Sequence, residues 1–178
     1  LDEWDVLLNA MTQKGYTKAE LLSAGLVVQN KKGGLYDKFR NRLMLPVIDT
    51  RGDVVAFGSR VLDKSEPKYM NSSETLVYSK RRVLYGLNLA KKSKRPNIIL
   101  CEGNLDIVTL HQAGFDNAVA SMGTALTVEQ TRLLSRFTKE LILCYDNDNA
   151  GKLATQRALD LLNGSEFSVK VLQLPRRL

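Results

Sequence analysis

Asn97-Ile98-Ile99-Leu100-Cys101-Glu102-Gly103-Asn104-Leu105-Asp106 and, further on, Leu141-Ile142-Leu143-Cys144-Tyr145-Asp146-Asn147-Asp148-Asn149-Ala150-Gly151 share one pattern. In each, a short apolar run stops abruptly at acidic residues, and helical spacing follows. Runs of this length, apolar on both faces, suit a buried strand of a parallel sheet. The acids therefore fall where strands hand over to helices. In open α/β sheets that carboxyl edge is where ligands bind. Carboxylates gathered on one edge repel each other unless a cation joins them. Hard divalent ions such as Mg²⁺ take carboxylate oxygens together with water and substrate phosphate. The stretch reads as a metal site for phosphate chemistry, with Glu102, Asp106, Asp146 and Asp148 as its candidate ligands.

Around these runs the pattern alternates regularly. Strand 97–101 leads to a helix over 105–112 closed by Gly114, and strand 117–121 to a turn and a helix over 128–137. Strand 140–145 leads to a helix over 152–162 closed by Gly164, and strand 168–174 precedes Pro175. This βαβαβαβ order implies a parallel sheet wound with right-handed crossovers. The basic run Lys91 to Arg95, followed by Pro96, is the natural boundary between residues 1–95 and residues 96–178.

Upstream, Lys80-Arg81-Arg82 opens a stretch of helical spacing with Val83, Leu84, Leu87 and Leu89. Cations at a helix start oppose the helix dipole, which favours an outside anion as their reason. Residues 43–48 and 54–58 read as two strands joined across Thr50-Arg51-Gly52-Asp53, a good hairpin turn. Arg40, Arg42 and Arg60 flank them, and on an extended chain Arg40 and Arg42 would share a face. Lys64 to Glu74 reads as a polar loop whose Lys68, Tyr69 and Asn71 could touch phosphate, base and sugar. Thr17-Lys18-Ala19-Glu20 is a capping box for a helix that stops at Gly25, and Asn30 to Gly34 is a polar loop. A short helix fits residues 1–12. The chain opens on Leu1 rather than Met, so the expectation is a piece of a longer protein.

The chain's 178 residues, 44% hydrophobic and 25% charged, suffice for one good core or two small lobes. No run approaches the roughly 18 apolar residues of a membrane span, and no signal peptide is visible, so neither membrane nor secretion is expected. Cys101 and Cys144 are the only cysteines, both inside apolar runs, and fit reduced core thiols. The net charge of +7 is uneven: residues 30–95 hold 16 basic and 6 acidic groups, residues 96–178 hold 8 and 9. A polyanion lying on the first part and processed at the second would explain that asymmetry. His111, the only histidine, sits late on its helix without a nucleophile nearby. The run Asp146 to Gly151 is not a calcium loop, since Ala150 and Arg157 stand where that loop needs oxygen ligands. No G-x-x-x-x-G-K-[ST] phosphate loop occurs.

The pair E-G-x-x-D and D-x-D-x-A-G resembles the Toprim fold, which topoisomerases, bacterial primases and several nucleases share. The segments 39–46 (Phe39 to Pro46), 57–60 (Phe57-Gly58-Ser59-Arg60), 67–72 (Pro67 to Ser72), 84–87 (Leu84-Tyr85-Gly86-Leu87) and 121–124 (Ser121-Met122-Gly123-Thr124) resemble the polymerase domain of bacterial DnaG-type replicative primases. The resemblance implies an α/β fold: a Toprim-type parallel sheet with covering helices, preceded by a smaller basic mixed α/β lobe. It implies a nucleotidyltransferase, a DNA-directed RNA polymerase making short RNA primers on single-stranded DNA from ribonucleoside triphosphates during replication. Its cofactor would be Mg²⁺ or Mn²⁺, with zinc confined to a separate domain absent from this chain. It assigns Glu102 as the acid closest to the chemistry, Asp146 and Asp148 as main metal ligands, and Asp106 in or near the same shell. Arg40, Arg42, Arg60, Lys68, Tyr69, Asn71 and Lys80 match a basic ridge for nucleotide, primer–template or inhibitory nucleotide alarmones. It further implies a cytoplasmic protein and a replicative helicase partner, met through a domain not present here. The chain stops at Pro175-Arg176-Arg177-Leu178, before a further acidic cluster of the family, so the isolated piece is expected to be weakly active or inactive. Another Toprim phosphodiesterase, such as a nuclease or a topoisomerase metal domain, or a non-catalytic nucleic-acid or nucleotide-binding module, is the alternative.

Overall fold

Leu100, Val119, Leu141 and Leu143 are fully buried, and they sit on neighbouring strands of one sheet. In the computed structural model, which describes residues 3–173, the chain forms two compact units. Unit one comprises Leu1–Pro46 and Ala56–Tyr78, and unit two comprises Val47–Val55 and Ser79–Leu178. Leu1, Leu174 and the expected stop at Pro175 lie outside the described residues.

Unit one begins with α1 (Val6–Gln13) and α2 (Lys18–Ser23). The expected capping box of α2 is present, with Thr17 Oγ1 accepting from the Glu20 N–H and Glu20 accepting from Thr17 in return. The start of α1 is held from a distance: both carboxylate oxygens of buried Asp37 accept from the Leu7 and Leu8 N–H groups, at 2.7 and 2.9 Å. Asp37 ends β2 (Leu35–Asp37), which pairs antiparallel with β1 (Val27–Gln29). Leu8, Leu21 and Val27 form the core beneath. The loop read at 30–34 is therefore the tip of a hairpin whose strands are too short to show alternation.

β3 (Arg42–Ile48), β4 (Val54–Val61) and β5 (Tyr69–Asn71) form a second sheet in that order. The turn expected between β3 and β4 is built on Asp49, whose Oδ1 accepts from the Arg51, Gly52 and Asp53 N–H groups. Residues 64–74 are not all loop, because β5 pairs antiparallel with β4 through Gly58↔Asn71 and Arg60↔Tyr69. Arg40 and Arg42 do not share an extended strand either. Asn41 between them takes a left-handed φ of 47°, so the alternation argument fails there.

In unit two the sheet order is β10-β9-β7-β8-β6. β7 (Asn97–Cys101), β8 (Ala118–Ser121), β9 (Glu140–Leu143) and β10 (Ser168–Val171) run parallel, as the alternation required. Their crossovers are α4 (Asn104–Gln112), α5 (Val128–Leu134) and α6 (Asn149–Leu162). The helix expected after Lys80 does not form. Residues 80–82 are a turn, β6 (Leu84–Tyr85) pairs antiparallel with β8, and only α3 (Leu87–Ala90) is helical. Gly86 forces the break. Its φ of 82° suits glycine, and a Cβ there would stand 2.7 Å from Ile107 Cγ2. The dipole argument for Lys80, Arg81 and Arg82 therefore falls. α5 also stops at Leu134, short of the expected Phe137.

From β7 the chain crosses to β8 on one side, and from β9 it crosses to β10 on the other. The loops leaving these adjacent parallel strands diverge, opening a crevice at their carboxyl ends. This is the topological switch point at which open α/β sheets bind ligands.

Candidate functional site

Both acidic motifs leave the sheet at that switch point. Glu102 and Gly103 follow β7, and Asp146 to Asp148 follow β9. The strand ends are locked by the Cys144 N–H donating to the Leu100 carbonyl at 2.8 Å. Gly151 explains the last letter of its motif. A Cβ there would lie 2.0 Å from the Asp146 carbonyl oxygen, so only glycine lets the first turn of α6 close over the loop. Asp148 is the N-cap of α6, its Oδ1 accepting from the Gly151 N–H at 2.8 Å. Asp106 closes the first turn of α4 from inside the helix, as its third residue, with Oδ2 accepting from the N–H of the N-cap Gly103 at 3.1 Å.

Glu102 is half-buried, and the Asp146 N–H donates to its carboxylate. Burial raises its pKa above the ordinary glutamate value, and the charges of Asp146, Asp148 and Asp106 raise it further. The Asp106 carboxyl is raised for the same reasons, burial first and then Asp146, against the Gly103 hydrogen bond that lowers it. The acids thus feel one another, as the sequence required. Among the described residues, however, no three His, Cys, Asp or Glu side chains close around one point tightly enough to hold an ion as they stand. Their donor chemistry nevertheless fits a hard cation: Glu102 Oε1 is buried without a hydrogen-bond partner, in a cluster of mutually repelling carboxylates.

Behind the acids, Cys101 and Cys144 are both free thiols. The hydrogen bond between them pushes Cys101 up and Cys144 down, to about 7. His111 bonds the Ala118 carbonyl at 2.9 Å, a structural role that ties α4 to β8.

The cationic residues separate into two kinds. Arg40 is engaged inside unit one, its guanidinium 3.8 Å from the Trp4 ring centroid and donating to the Asp37 carbonyl at 3.0 Å. Arg42 donates to the Pro67 carbonyl at 2.8 Å, while its other terminal nitrogen is buried and unsatisfied. Arg60 and Lys68 instead flank one exposed aromatic. Each cation lies 5.6 Å from the Tyr69 ring, which is 53% exposed. The β4–β5 register creates this grouping, and it could not be read while residues 64–74 passed for a loop. Asn71 stands on β5 opposite Gly58, and Lys80 lies in the turn before β6.

Residues 1–91 match the family model described as DNA primase catalytic core, N-terminal domain, and residues 99–177 match a Toprim-like model. The chain belongs to the DNA primase catalytic core family. It is 49% identical to the DNA primase of Clostridium acetobutylicum over 175 residues, covering 98% of this chain and 29% of that protein. Against the solved E. coli primase catalytic core the TM-score is 0.90 at 39% identity, covering 98% of this chain and 57% of that one. A DnaG primase catalytic domain solved bound to ssDNA gives 0.89 at 38% identity, with 98% and 58% covered. The chain thus spans less than a third of its curated relative and little more than half of the solved cores. Its α/β architecture, with a Toprim-type parallel sheet, is that of the primase core. That fold accounts for the placement of both acidic motifs at one crevice.

Proposed function

We propose that this chain is the catalytic-core portion of a primase that builds short RNA primers on single-stranded DNA from ribonucleoside triphosphates. The observation that carries the reading is Glu102, whose partnerless buried oxygen faces an unrelieved acidic cluster at the switch point of a primase-family sheet. Glu102, Asp106, Asp146 and Asp148 would hold Mg²⁺ or Mn²⁺, with Asp146 and Asp148 as the main ligands. When bound there, a divalent ion supplies charge neutralisation at phosphate oxygens and acidifies a bound hydroxyl. The raised pKa of Glu102 suits it to receive the proton of the attacking primer hydroxyl, since a base works best with its pKa near the operating pH. Arg60, Lys68 and Tyr69 offer two charges and a ring face, which suits single-stranded template gripped by charge and stacking rather than read base by base. Arg42 and Asn71 in unit one would complete that basic ridge, with Arg40 supporting it through its stack on Trp4, and Lys80 in unit two would meet triphosphate. Nucleotide alarmones would compete on that ridge.

In this reading residues 1–95 serve as the basic lobe and residues 96–178 as the metal-binding domain. Zinc and the replicative helicase would be met outside these residues, and the setting would be the cytoplasm. The test is primer synthesis by a primase of the relatives' length carrying these residues. Asp146→Asn should abolish ribonucleotide incorporation on single-stranded DNA while the fold is kept. Full incorporation by the variant would refute the metal assignment. Cleavage of the template by the parent would favour a nuclease, and neither activity would favour a binding module.

A further inference from the structure

The first turn of α5 carries more than a capping box. Thr127 Oγ1 accepts from the Gln130 N–H at 3.1 Å, and Gln130 Oε1 accepts from the Thr127 N–H at 3.2 Å. Such boxes usually stand in solvent, but Gln130 is wholly buried, with no exposed surface. Its amide donates twice more, to the Lys80 and Val83 carbonyls, both at 2.9 Å. Thr127 Oγ1 donates to the Arg81 carbonyl at 2.6 Å. Lys80-Arg81-Arg82 is a turn without regular structure, in which the Arg82 N–H donates to the Ser79 carbonyl. The hydrogen bonds from Thr127 and Gln130 tie the turn to the first turn of α5. The Arg81–Glu129 pair, 3.6 Å apart and exposed, adds little.

We infer that Gln130 and Thr127 are positioning residues that fix the Lys80–Val83 turn so that its cations meet an incoming triphosphate in one geometry. A helix cap is recruited to hold backbone carbonyls that would otherwise be free to rotate, and with them the origin of the Lys80 side chain. Neither residue touches the nucleotide. The inference rests on the nucleotide-binding reading of Lys80 given above.

Equilibrium binding of fluorescent ATP to the chain, with Mg²⁺ present, tests it. Gln130→Leu keeps the side-chain volume and removes the donors, and it should weaken ATP by about tenfold, the scale on which small displacements of binding groups act. Thr127→Val should weaken ATP as well, and Thr127→Ser, which keeps the hydroxyl, should bind like the parent. On a Lys80→Ala background Gln130→Leu should cost nothing further, since acting through Lys80 makes the two effects non-additive. A full additional loss on that background would overturn the inference and leave Gln130 a purely structural residue. Parent-like binding by Gln130→Leu, with Lys80→Ala weakened, would also overturn it while leaving the nucleotide reading intact. Parent-like binding by Lys80→Ala would bring down that reading and the inference with it. Should Gln130→Leu fail to fold, the Thr127 pair decides: rescue by serine supports positioning, and equal weakening of both variants refutes it.

Discussion

One oxygen of Asp148 holds the Gly151 N–H, so its charge and its cap can be separated by substitution. Asp148→Asn keeps an oxygen for the cap and should leave stability nearly unchanged while weakening Mg²⁺. Asp148→Ala should lose both, at a cost of about 1 kcal/mol in urea unfolding. If the two variants proved equally unstable, the cap would not be what Asp148 contributes. Glu102 gives a pH dependence. Its carboxyl is raised in the folded chain, so the folded state holds that proton more tightly than the unfolded one. Ionised Glu102 therefore costs stability above the raised value, and the cost disappears as pH falls into the ordinary carboxylate range. In metal-free buffer Glu102→Gln should raise the thermal midpoint near neutral pH, and that gain should fade toward about pH 4, near the unperturbed value. A gain that grew on acidification would contradict the assignment. At this scale the four acids were legible because each lies at, or within a few residues of, the end of an apolar run. Asp148 caps α6 from the position just before it, whereas Asp106 bonds back to the N-cap Gly103 from within the first turn of α4. Arg40 was not legible as a stacked residue, because Trp4 and Tyr36 reach it only through the fold.

α1 shows what the sequence hides at the scale of elements. Its own N-cap residue, Asp5, makes no side-chain cap bond, and the service comes from Asp37 at the end of β2. Asp37→Ala would leave two helix N–H groups without an acceptor in a buried place, and should destabilise unit one by about 2 kcal/mol. A shift in urea midpoint confined to unit-two probes would argue against this. The long alternation from Asn97 onward was readable because each strand is apolar throughout and each helix has a cap or a closing glycine. β1, β2, β5 and β6 were not, since strands of two or three residues carry no period. The stretch after Lys80 has helical spacing, yet pairing of Leu84 with Ser121 and the left-handed Gly86 prevail over it.

The charge imbalance of the whole molecule has a measurable side. Binding of single-stranded DNA should weaken steeply with salt, because cations displace counterions from phosphate. Lys68→Ala and Arg60→Ala should each lower the salt slope by about one. Tyr69→Ala should weaken binding by roughly 1–3 kcal/mol with the slope unchanged, as expected for lost stacking. Fluorescence anisotropy across a salt series separates these effects. Equal slopes in all three variants would return the patch to ordinary solvated surface. Basic and near-neutral halves were visible in the sequence, whereas the gathering of two cations on one ring needed the β4–β5 register.

β6 lies outside the segment that matches the Toprim-like model, yet it covers the outer side of β8. Ala118, Val119, Ala120 and Ser121 of β8 are all buried. A recombinant piece cut at Pro96 would strip that cover and leave a row of backbone donors and acceptors open beside small, flat side chains. Such an edge is a template for another copy. The shortened protein should self-associate on light scattering, and one beginning at Ser79 should not. The two residues of β6 thus act as a gatekeeper against aggregation, and set where this protein can be divided.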